Sequence, residues 1–353
     1  MALTILSVAY PLSPVAPDTA GGAEQIILQL DRALVDAGHR SLVIACEGSE
    51  IAGELLPVPR LRGVFDDRSK TLAQYRHART IRDAIGQYEI DVVHLHGIDF
   101  HTYLPPAGIP VLATLHLPLS WYPQDALYPS RRGTWLHCVS SAQHETKPRT
   151  AFFLPPIENG VGIKSTPGRG EGGFALFLGR ICPEKGVHLA IEAAKRADVP
   201  LIIAGTVYPY PEHLDYFRRE IEPHLDSERR FIGCVGPAVK EELLASARCL
   251  VVPSLVEETS SLVAREALAA ATPVIAFPRA ALAGLIEHGR TGLLVNDLDG
   301  MADAFRAAGT LDRHACFETA QKRFPLSRMI EAYFTLYTEL AARAKAICTT
   351  GAA

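Results

Sequence analysis

The sequence predicts an α/β protein built from two doubly wound parallel sheets, and three observations carry this prediction. Short runs rich in β-branched residues alternate with amphipathic helical segments. These runs are almost continuously apolar, as expected for parallel strands that helices cover on both faces. The alternation stops at a Pro/Gly-rich stretch, residues 155–173, and then restarts. A chain of 353 residues therefore divides into two domains.

The first half begins with a predicted strand at residues 3–10, followed by a turn-rich segment. A helix comes next at residues 23–38, because apolar side chains recur at helical spacing and Gly38 stands where a C-terminal cap belongs. Further strands are predicted at residues 41–46, 91–95, 110–115 and 135–139.

The second half repeats this pattern and ends in a long helix. That closing helix, at about residues 328–346, carries Tyr333 and Tyr337 on one face, and we expect it to pack back onto the first half. The predicted domains are thus residues 1–160, completed by the closing helix, and residues 161–327. The second half has a predicted helix at residues 184–197 and strands at 174–178, 201–204, 230–232, 249–252, 274–277 and 293–295.

The composition excludes several classes of protein. The formal net charge is -4 and neither half is basic, so nucleic acid is not an expected partner. No apolar run reaches the ~18–20 residues of a membrane-spanning helix, and the apolar residues 1–10 lack a basic leader. Seven scattered cysteines without a CxxC pair indicate reduced thiols in a cytoplasmic protein rather than disulfides or a zinc site.

Residues 60–82 carry a local excess of basic side chains over Asp66 and Asp67. Two interpretations remain open: a solvated helix face, or a surface that contacts an acidic acceptor or anionic lipid at the inner face of a membrane. The basic residues are Arg60, Arg62, Arg68, Lys70, Arg76, Arg79 and Arg82.

Two motifs at predicted strand ends are typical of phosphate binding. Gly21 and Gly22 lie between the first strand and a helix, where the backbone can approach a phosphate, but taken alone the pair is better explained as a flexible turn into the helix. They do not form the GxGxxG pattern, which counts against a nicotinamide enzyme. Arg180 and Lys185, in GRICPEKG after the strand at 174–178, provide two cations for a diphosphate.

A pair of glutamates follows the strand at residues 249–252. Glu258 and Glu266 are eight residues apart, about two helical turns, so both carboxylates can lie on one side. The free N–H groups between them would face an anion, although an ordinary capped helix has the same spacing. These N–H groups belong to Ser260, Ser261, Leu262 and Val263.

Histidines also stand at predicted strand ends. His94 and His96 share a face of their strand, and His116 follows the next strand. No third ligand accompanies the HxH pair, so we expect no metal and assign His116 as the functional residue. The Asp297-Leu-Asp299 motif looks like a metal-binding DxD, but we expect it to cap a helix near Gly300.

The order of these motifs resembles that of the retaining glycosyltransferases of family 4, the group 1 glycosyl transferases. The resemblance covers essentially the whole chain and includes PIENGV, PSxxEETSSLVAREALAAATPVIA, TGLLV and FPLSRMIEAYFTLY. It implies the GT-B fold, in which two Rossmann-like domains face an interdomain cleft and a C-terminal helix crosses over. Two residues depart from the pattern, since Ser261 and Ala271 stand where glycine is usual.

The resemblance also implies roles for single residues. Arg180 and Lys185 would neutralise the leaving diphosphate. Glu258 would contact the hydroxyls of the transferred sugar, and Glu266 those of the ribose. His116 would lie against the sugar near the reacting carbon, and the glycine pair would approach the phosphates.

The expected enzyme is therefore a retaining, metal-independent glycosyltransferase without a cofactor. Its donor would be a nucleotide diphosphate sugar, UDP- or GDP-linked, bound by the second domain. Its acceptor would be a glycan, a lipid-linked molecule or a small molecule, bound by the first. Two alternatives stay open: another GT-B sugar-nucleotide enzyme, such as an epimerase or phosphorylase, and a catalytically silent subunit that binds a nucleotide sugar.

Overall fold

The computed structural model describes residues 2–350 except 20, 62, 64, 151 and 165, with the backbone alone at 345–350. Arg62 of the basic segment, Ser165 of the predicted linker and the side chains at positions 345 and 346 of the closing helix lie outside the described residues. The chain forms two compact units. One comprises Met1–Glu158 with Met329–Ala353, and the other comprises Asn159–Arg328.

The first unit contains a six-stranded sheet in which every pairing is parallel. Its order, β3-β2-β1-β4-β5-β6, starts from β1 at the centre and grows outward in both directions, which is the doubly wound arrangement. The strands are β1 Thr4–Val8, β2 Arg40–Cys46, β3 Glu54–Val58, β4 Val92–Leu95, β5 Val111–Leu115 and β6 Thr134–Cys138. The helices are α1 Gly22–Asp36, α2 Asp67–Gln87, α3 Gln124–Leu127 and α4 Ser141–Glu145.

Helix α1 shows how the sequence sets an element's end. Gly38 has φ +76°, the left-handed conformation that glycine adopts without steric cost. In this conformation the Gly38 N–H donates to the Val35 carbonyl, and the His39 N–H donates to the Leu34 carbonyl. These two bonds satisfy carbonyls that the last turn leaves free. The predicted cap at Gly38 is confirmed.

The second unit has a six-stranded parallel sheet of the same kind, in the order β12-β11-β10-β7-β8-β9. Apolar clusters cover both of its faces. Its strands are β7 Ala175–Arg180, β8 Leu201–Thr206, β9 Arg229–Gly233, β10 Cys249–Val252, β11 Val274–Ala276 and β12 Gly292–Leu294. Its helices are α5 Val187–Ala197, α6 Pro211–Tyr216, α7 Pro237–Ser246, α8 Leu262–Ala269, α9 Ala281–Leu285, α10 Leu298–Ala307 and α11 Arg313–Arg323.

The closing helix, α12 Leu326–Thr350, belongs to the first unit from Met329 onward. Tyr333 and Tyr337 are fully buried there, so their hydroxyls need partners inside the protein. The Tyr337 hydroxyl lies 2.7 Å from Nδ1 of His94, a residue of β4. The first unit is therefore assembled from both ends of the chain.

Two elements differ from the sequence prediction. Strand β3 was missed because it is a half-exposed edge strand containing Pro57, which blurs the apolar pattern. The helix predicted from residue 184 begins later, because Gly186 has φ +66° and separates a 3-10 turn at Pro183–Lys185 from α5.

Candidate active site

The loops after β7 and β10 lie at the same edge of the second sheet, because these parallel strands are neighbours. The first loop carries Arg180 and Lys185, and the second carries Glu258. Lys185 and Glu258, which are 73 positions apart in sequence, thus meet at the carboxyl ends of two strands. Ligands of open α/β sheets bind at such edges.

A partly buried ion pair forms the centre of this site. Nζ of Lys185 donates to Oε1 of Glu258 over 2.5 Å, and the Ser254 hydroxyl donates to the same oxygen over 2.6 Å. Burial opposes ionisation of Glu258, but the nearby Lys185 ammonium, both hydrogen bonds and the charge of Arg180 outweigh it, so the pKa of this carboxyl lies below its ordinary value. Glu258 is therefore a buried, ionised acceptor at neutral pH.

Arg180 stands beside this pair. Its Nη1 lies 3.8 Å from Oε1 of Glu184, which is too long for a good hydrogen bond. About a quarter of its side chain remains exposed, so guanidinium donors are available to a ligand. Arg180, Lys185 and Glu258 therefore lie together at this edge of the second sheet.

Glu266 is separately paired. It lies within α8, and its Oε1 accepts a hydrogen bond from Nζ of Lys240 on α7 over 2.7 Å. Both side chains are mostly buried. A ribose bound at Glu266 would share the carboxylate with Lys240, a partner that the sequence did not reveal.

The start of α8 offers hydrogen-bond donors to a ligand. Ser261 is the N-terminal cap residue, and its side chain does not cap the helix. Within the described part of the chain, the buried hydroxyls of Ser260 and Ser261 have no hydrogen-bond partner. Leaving a buried polar group unpaired costs about 1–3 kcal/mol. Two such hydroxyls beside the N–H groups of Leu262 and Val263 are suited to an anionic oxygen.

Both departures from the family's glycine pattern adopt left-handed backbone. Ser261 has φ +52° and Ala271 has φ +62°. This conformation costs a residue with a Cβ roughly 1–2 kcal/mol, which explains why glycine is usual at both places. Ser261 thus keeps the backbone shape that glycine would give and adds a hydroxyl to it.

In the first unit, Gly21 and Gly22 lie at the start of α1, as expected. Gly21 caps the helix through extended backbone, with φ -85°, so its conformation does not require glycine. The carboxylate of Glu24 fills the space next to Gly21 and is itself buried. A negative side chain therefore lies where a phosphate was expected, and phosphate binding at this pair stays a prediction.

His116 lies in a buried group of histidines. Its Nε2 is 3.0 Å from Nδ1 of His96, so one ring donates to the other. Burial, with a smaller contribution from His137, lowers the pKa of His116 to about 3. His116 is consequently neutral at physiological pH and acts as a hydrogen-bonding group rather than a cation.

His94 belongs to a network that the sequence did not reveal. Besides Tyr337, it contacts the Thr114 hydroxyl through Nε2 over 2.6 Å, and the same hydroxyl lies 2.6 Å from Nε2 of His137. Burial holds the pKa of His94 far below its ordinary value, so the ring is neutral. The network links β4, β5, β6 and α12, and we assign His94 to the core of the unit. In the sequence, Tyr333 and Tyr337, one helical turn apart, indicate a packed face of the closing helix but not its contact with His94.

The Asp297 and Asp299 motif has a structural role. Oδ1 of Asp297 accepts a hydrogen bond from the Gly300 N–H over 2.8 Å and caps α10, as predicted. Asp299 pairs with Arg196 over 2.5 Å. The structure brings together a different set, since ligand atoms of Cys182, Glu184 and His213 lie within 4.8 Å of one another.

Two family models match the chain. The model of Glycosyltransferase Family 4 matches residues 20–144, and that of Glycosyl transferases group 1 matches residues 173–309. The chain is 29% identical over 326 residues to the phosphatidyl-myo-inositol mannosyltransferase of Mycolicibacterium smegmatis, covering 82% of each chain. The chain is a family 4-type glycosyltransferase. This assignment confirms that it is an enzyme.

Solved structures share the architecture of this glycosyltransferase. Sucrose-phosphate synthase from Thermosynechococcus elongatus superposes with a TM-score of 0.78 at 17% identity, over 96% of this chain and 100% of that one. HepE of Anabaena, solved in complex with UDP-glucose, gives 0.74 at 17% identity, with the same coverage. The GT-B fold expected from the sequence is confirmed.

Among the described residues, no helix combines the length and hydrophobicity that a membrane crossing requires.

Proposed function

We propose that this glycosyltransferase moves a sugar from a UDP- or GDP-linked donor to an acceptor with retention of configuration and without a metal ion. The observation that carries the proposal is the group formed by Lys185, Glu258 and the start of α8 with its unpaired serine hydroxyls. It places a cation, an ionised carboxylate and unpaired hydroxyls at one sheet edge.

The cations would stabilise the leaving group. Cleavage of the sugar–phosphate bond leaves a diphosphate anion, and Arg180 and Lys185 would compensate its charge together with the N–H groups of α8. Removing one such preorganised donor typically costs about 3–4 kcal/mol of transition-state stabilisation. Because the protein itself supplies positive charge, the proposed reaction needs no metal.

Glu258 would bind the transferred sugar. Its carboxylate accepts from Lys185 and Ser254 through one oxygen, so the second oxygen can accept from sugar hydroxyls. The same charge favours the oxocarbenium character that develops as the bond breaks. Glu266 would bind ribose hydroxyls while it holds Lys240, and neutral His116 would contact the sugar. Retention would follow from attack of the acceptor on the face from which the diphosphate leaves.

The relatives favour a lipid-linked acceptor among those expected, because several are phosphatidyl-myo-inositol mannosyltransferases by name. We propose that the first unit binds the acceptor and the second binds the donor. Helix α2 supports a membrane-facing role, since Leu72 and Tyr75 are exposed on the same stripe as basic side chains. The stripe comprises Arg68, Leu72, Tyr75, Arg79 and Arg82. The enzyme would then work at the cytoplasmic face of the membrane.

A thermal-shift screen of nucleotide sugars tests the donor part of the proposal. A donor at 100 times its dissociation constant stabilises the native state by about 2.7 kcal/mol, which raises the melting temperature. We expect a shift with at least one UDP- or GDP-sugar, in EDTA as well as without it. No shift with any nucleotide sugar would contradict donor binding.

The chemistry is tested with the donor that the screen identifies. Arg180→Ala combined with Glu258→Ala should abolish transfer and hydrolysis of that donor, and Lys322→Ala, which changes an exposed cation on α11, serves as the control. NMR of the product should show the donor's anomeric configuration. Activity of the double variant equal to that of the wild type, or an inverted product, would overturn the mechanism.

A further inference from the structure

Three potential metal ligands surround the loop that follows β7. Cys182 follows the strand by two residues, Glu184 lies in the adjoining 3-10 turn, and His213 lies on α6. Each offers one ligand atom, and these atoms all lie within 4.8 Å of one another. Ligand atoms around a tetrahedral Zn²⁺ are roughly 3.3–3.8 Å apart, since its bonds are ~2.0–2.3 Å long. Small side-chain rotations would therefore bring all three onto one ion.

The ligand types match Zn²⁺ in particular. Thiolate and imidazole are its preferred ligands, and carboxylate is its usual third one. Mg²⁺ and Ca²⁺ instead require oxygen ligands, so a site with sulfur and nitrogen discriminates against them. Three protein ligands leave the fourth tetrahedral position for water or for an oxygen of a bound anion.

The imidazole of His213 has an unpaired nitrogen. Within the described residues, its Nδ1 is buried and has no hydrogen-bond partner. An edge-on contact with the ring of Tyr210, with centroids 5.2 Å apart, restrains the orientation of the ring. A buried nitrogen without a partner is costly, and coordination to a metal would remove that cost.

We propose that Cys182, Glu184 and His213 form a binding site for Zn²⁺. On binding, the Cys182 thiol releases its proton to solvent, and the thiolate, the carboxylate and the neutral imidazole coordinate the ion. The site goes beyond the proposed sugar transfer, which requires no metal. None of its three ligands is assigned to the donor, although all three belong to the second unit, which is proposed to bind it.

Arg180 would compete with the metal for the carboxylate of Glu184. Its guanidinium lies 3.8 Å from the Glu184 carboxylate, so Zn²⁺ has to take this carboxylate from Arg180. A bound ion would therefore release Arg180 and add positive charge beside it. Zinc at this site is expected to alter the binding of anions at the neighbouring sheet edge.

Metal binding can be measured on the tag-free, full-length chain after removal of metals with EDTA. Titration with Zn²⁺ should show one tight site per chain, and Co²⁺ in its place should give a thiolate-to-cobalt charge-transfer band. Cys182→Ser should remove the band. Because loss of a direct ligand costs more than the 10–100-fold typical of residues that merely support one, zinc affinity should fall at least ~100-fold.

Three further variants make the result decisive. His213→Gln and Glu184→Gln should each weaken zinc binding, which keeps the test valid if Cys182→Ser melts at a lower temperature. Cys234→Ser, which changes an exposed cysteine elsewhere in the unit, should retain both the affinity and the cobalt band. No tight site in the wild type, or equal affinity in Cys182→Ser and wild type, would overturn the proposal.

Discussion

At the scale of single residues, the environment of Glu258 determines its chemistry. The residue is only 8% exposed, yet its carboxylate remains charged because Lys185 and Ser254 both donate to it. A buried carboxylate without such partners would be protonated instead. The sequence contained all three residues, but their meeting depends on the order of strands in the sheet.

Replacing Glu258 by Gln should reduce both activity and stability. The change leaves the Lys185 ammonium without its counter-charge in a largely buried place, which costs about 3 kcal/mol. Equilibrium unfolding of the variant and the donor-dependent rate measure the two effects. Ser254→Ala, which removes one neutral donor and no charge, should cost less on both counts.

The same variant should change the pH dependence of stability. The pKa of Glu258 is lowered in the folded protein, so its contribution is complete above the ordinary value of 4.5 and is lost as pH falls through the folded pKa. Unfolding measured at and below pH 4.5 should therefore show a steeper acid loss in the wild type than in Glu258→Gln. Parallel curves would show that the carboxylate is not stabilised by its partners.

Ser261 provides a second prediction at this scale. Ser261→Gly should stabilise the protein by about 1 kcal/mol, because it removes both left-handed strain and an unpaired buried hydroxyl. Ser260→Ala removes only the hydroxyl, so it should stabilise less. Unfolding free energies of the two variants give the comparison, and a larger gain in Ser260→Ala would contradict the role assigned to backbone strain. If the Ser261 hydroxyl donates to the donor phosphate, the more stable glycine variant should also bind the donor more weakly.

At the scale of elements, the sequence predicts strands and helix ends correctly where the pattern that encodes them is local. Buried parallel strands such as β10 are continuous apolar runs, and helix ends such as Gly38 follow from backbone sterics. Strand β3 was missed because half of its surface faces solvent. The partners of Glu266 and His94 come from distant elements, and no local pattern encodes Lys240 or Tyr337.

Two tyrosine hydroxyls anchor helix α12, and they differ in the length of their contacts. The two residues can therefore be compared by substitution. Tyr337→Phe removes the 2.7 Å contact to His94 and leaves a buried imidazole nitrogen unpaired, which should cost about 1–3 kcal/mol. Tyr333→Phe removes only a 3.5 Å contact to Thr114 and should cost less. Denaturant unfolding measures both, and an equal loss in the two variants would show that the His94 bond is not a principal anchor.

At the scale of the whole molecule, the surface of α2 leads to a prediction about membranes. Arg68, Arg79 and Arg82 flank Leu72 and Tyr75 on one exposed stripe, so the protein should sediment with vesicles rich in anionic lipid. Each basic residue near such a surface contributes about 1 kcal/mol. Arg79→Glu combined with Arg82→Glu should abolish sedimentation, and neutral vesicles should capture neither protein. If the double variant still binds the vesicles, the other interpretation of α2, a solvated helix face, is supported instead.

The division of the chain has a consequence for its synthesis. The first unit needs Tyr333 and Tyr337 to fill its core and to pair His94, but the ribosome makes these tyrosines after the whole second unit. Proteins usually complete their N-terminal domain first during translation. Here the order is reversed, because the second unit can complete its fold before the last helix of the first unit has been synthesised. A nascent chain halted before residue 333 would therefore expose an incomplete first core to chaperones.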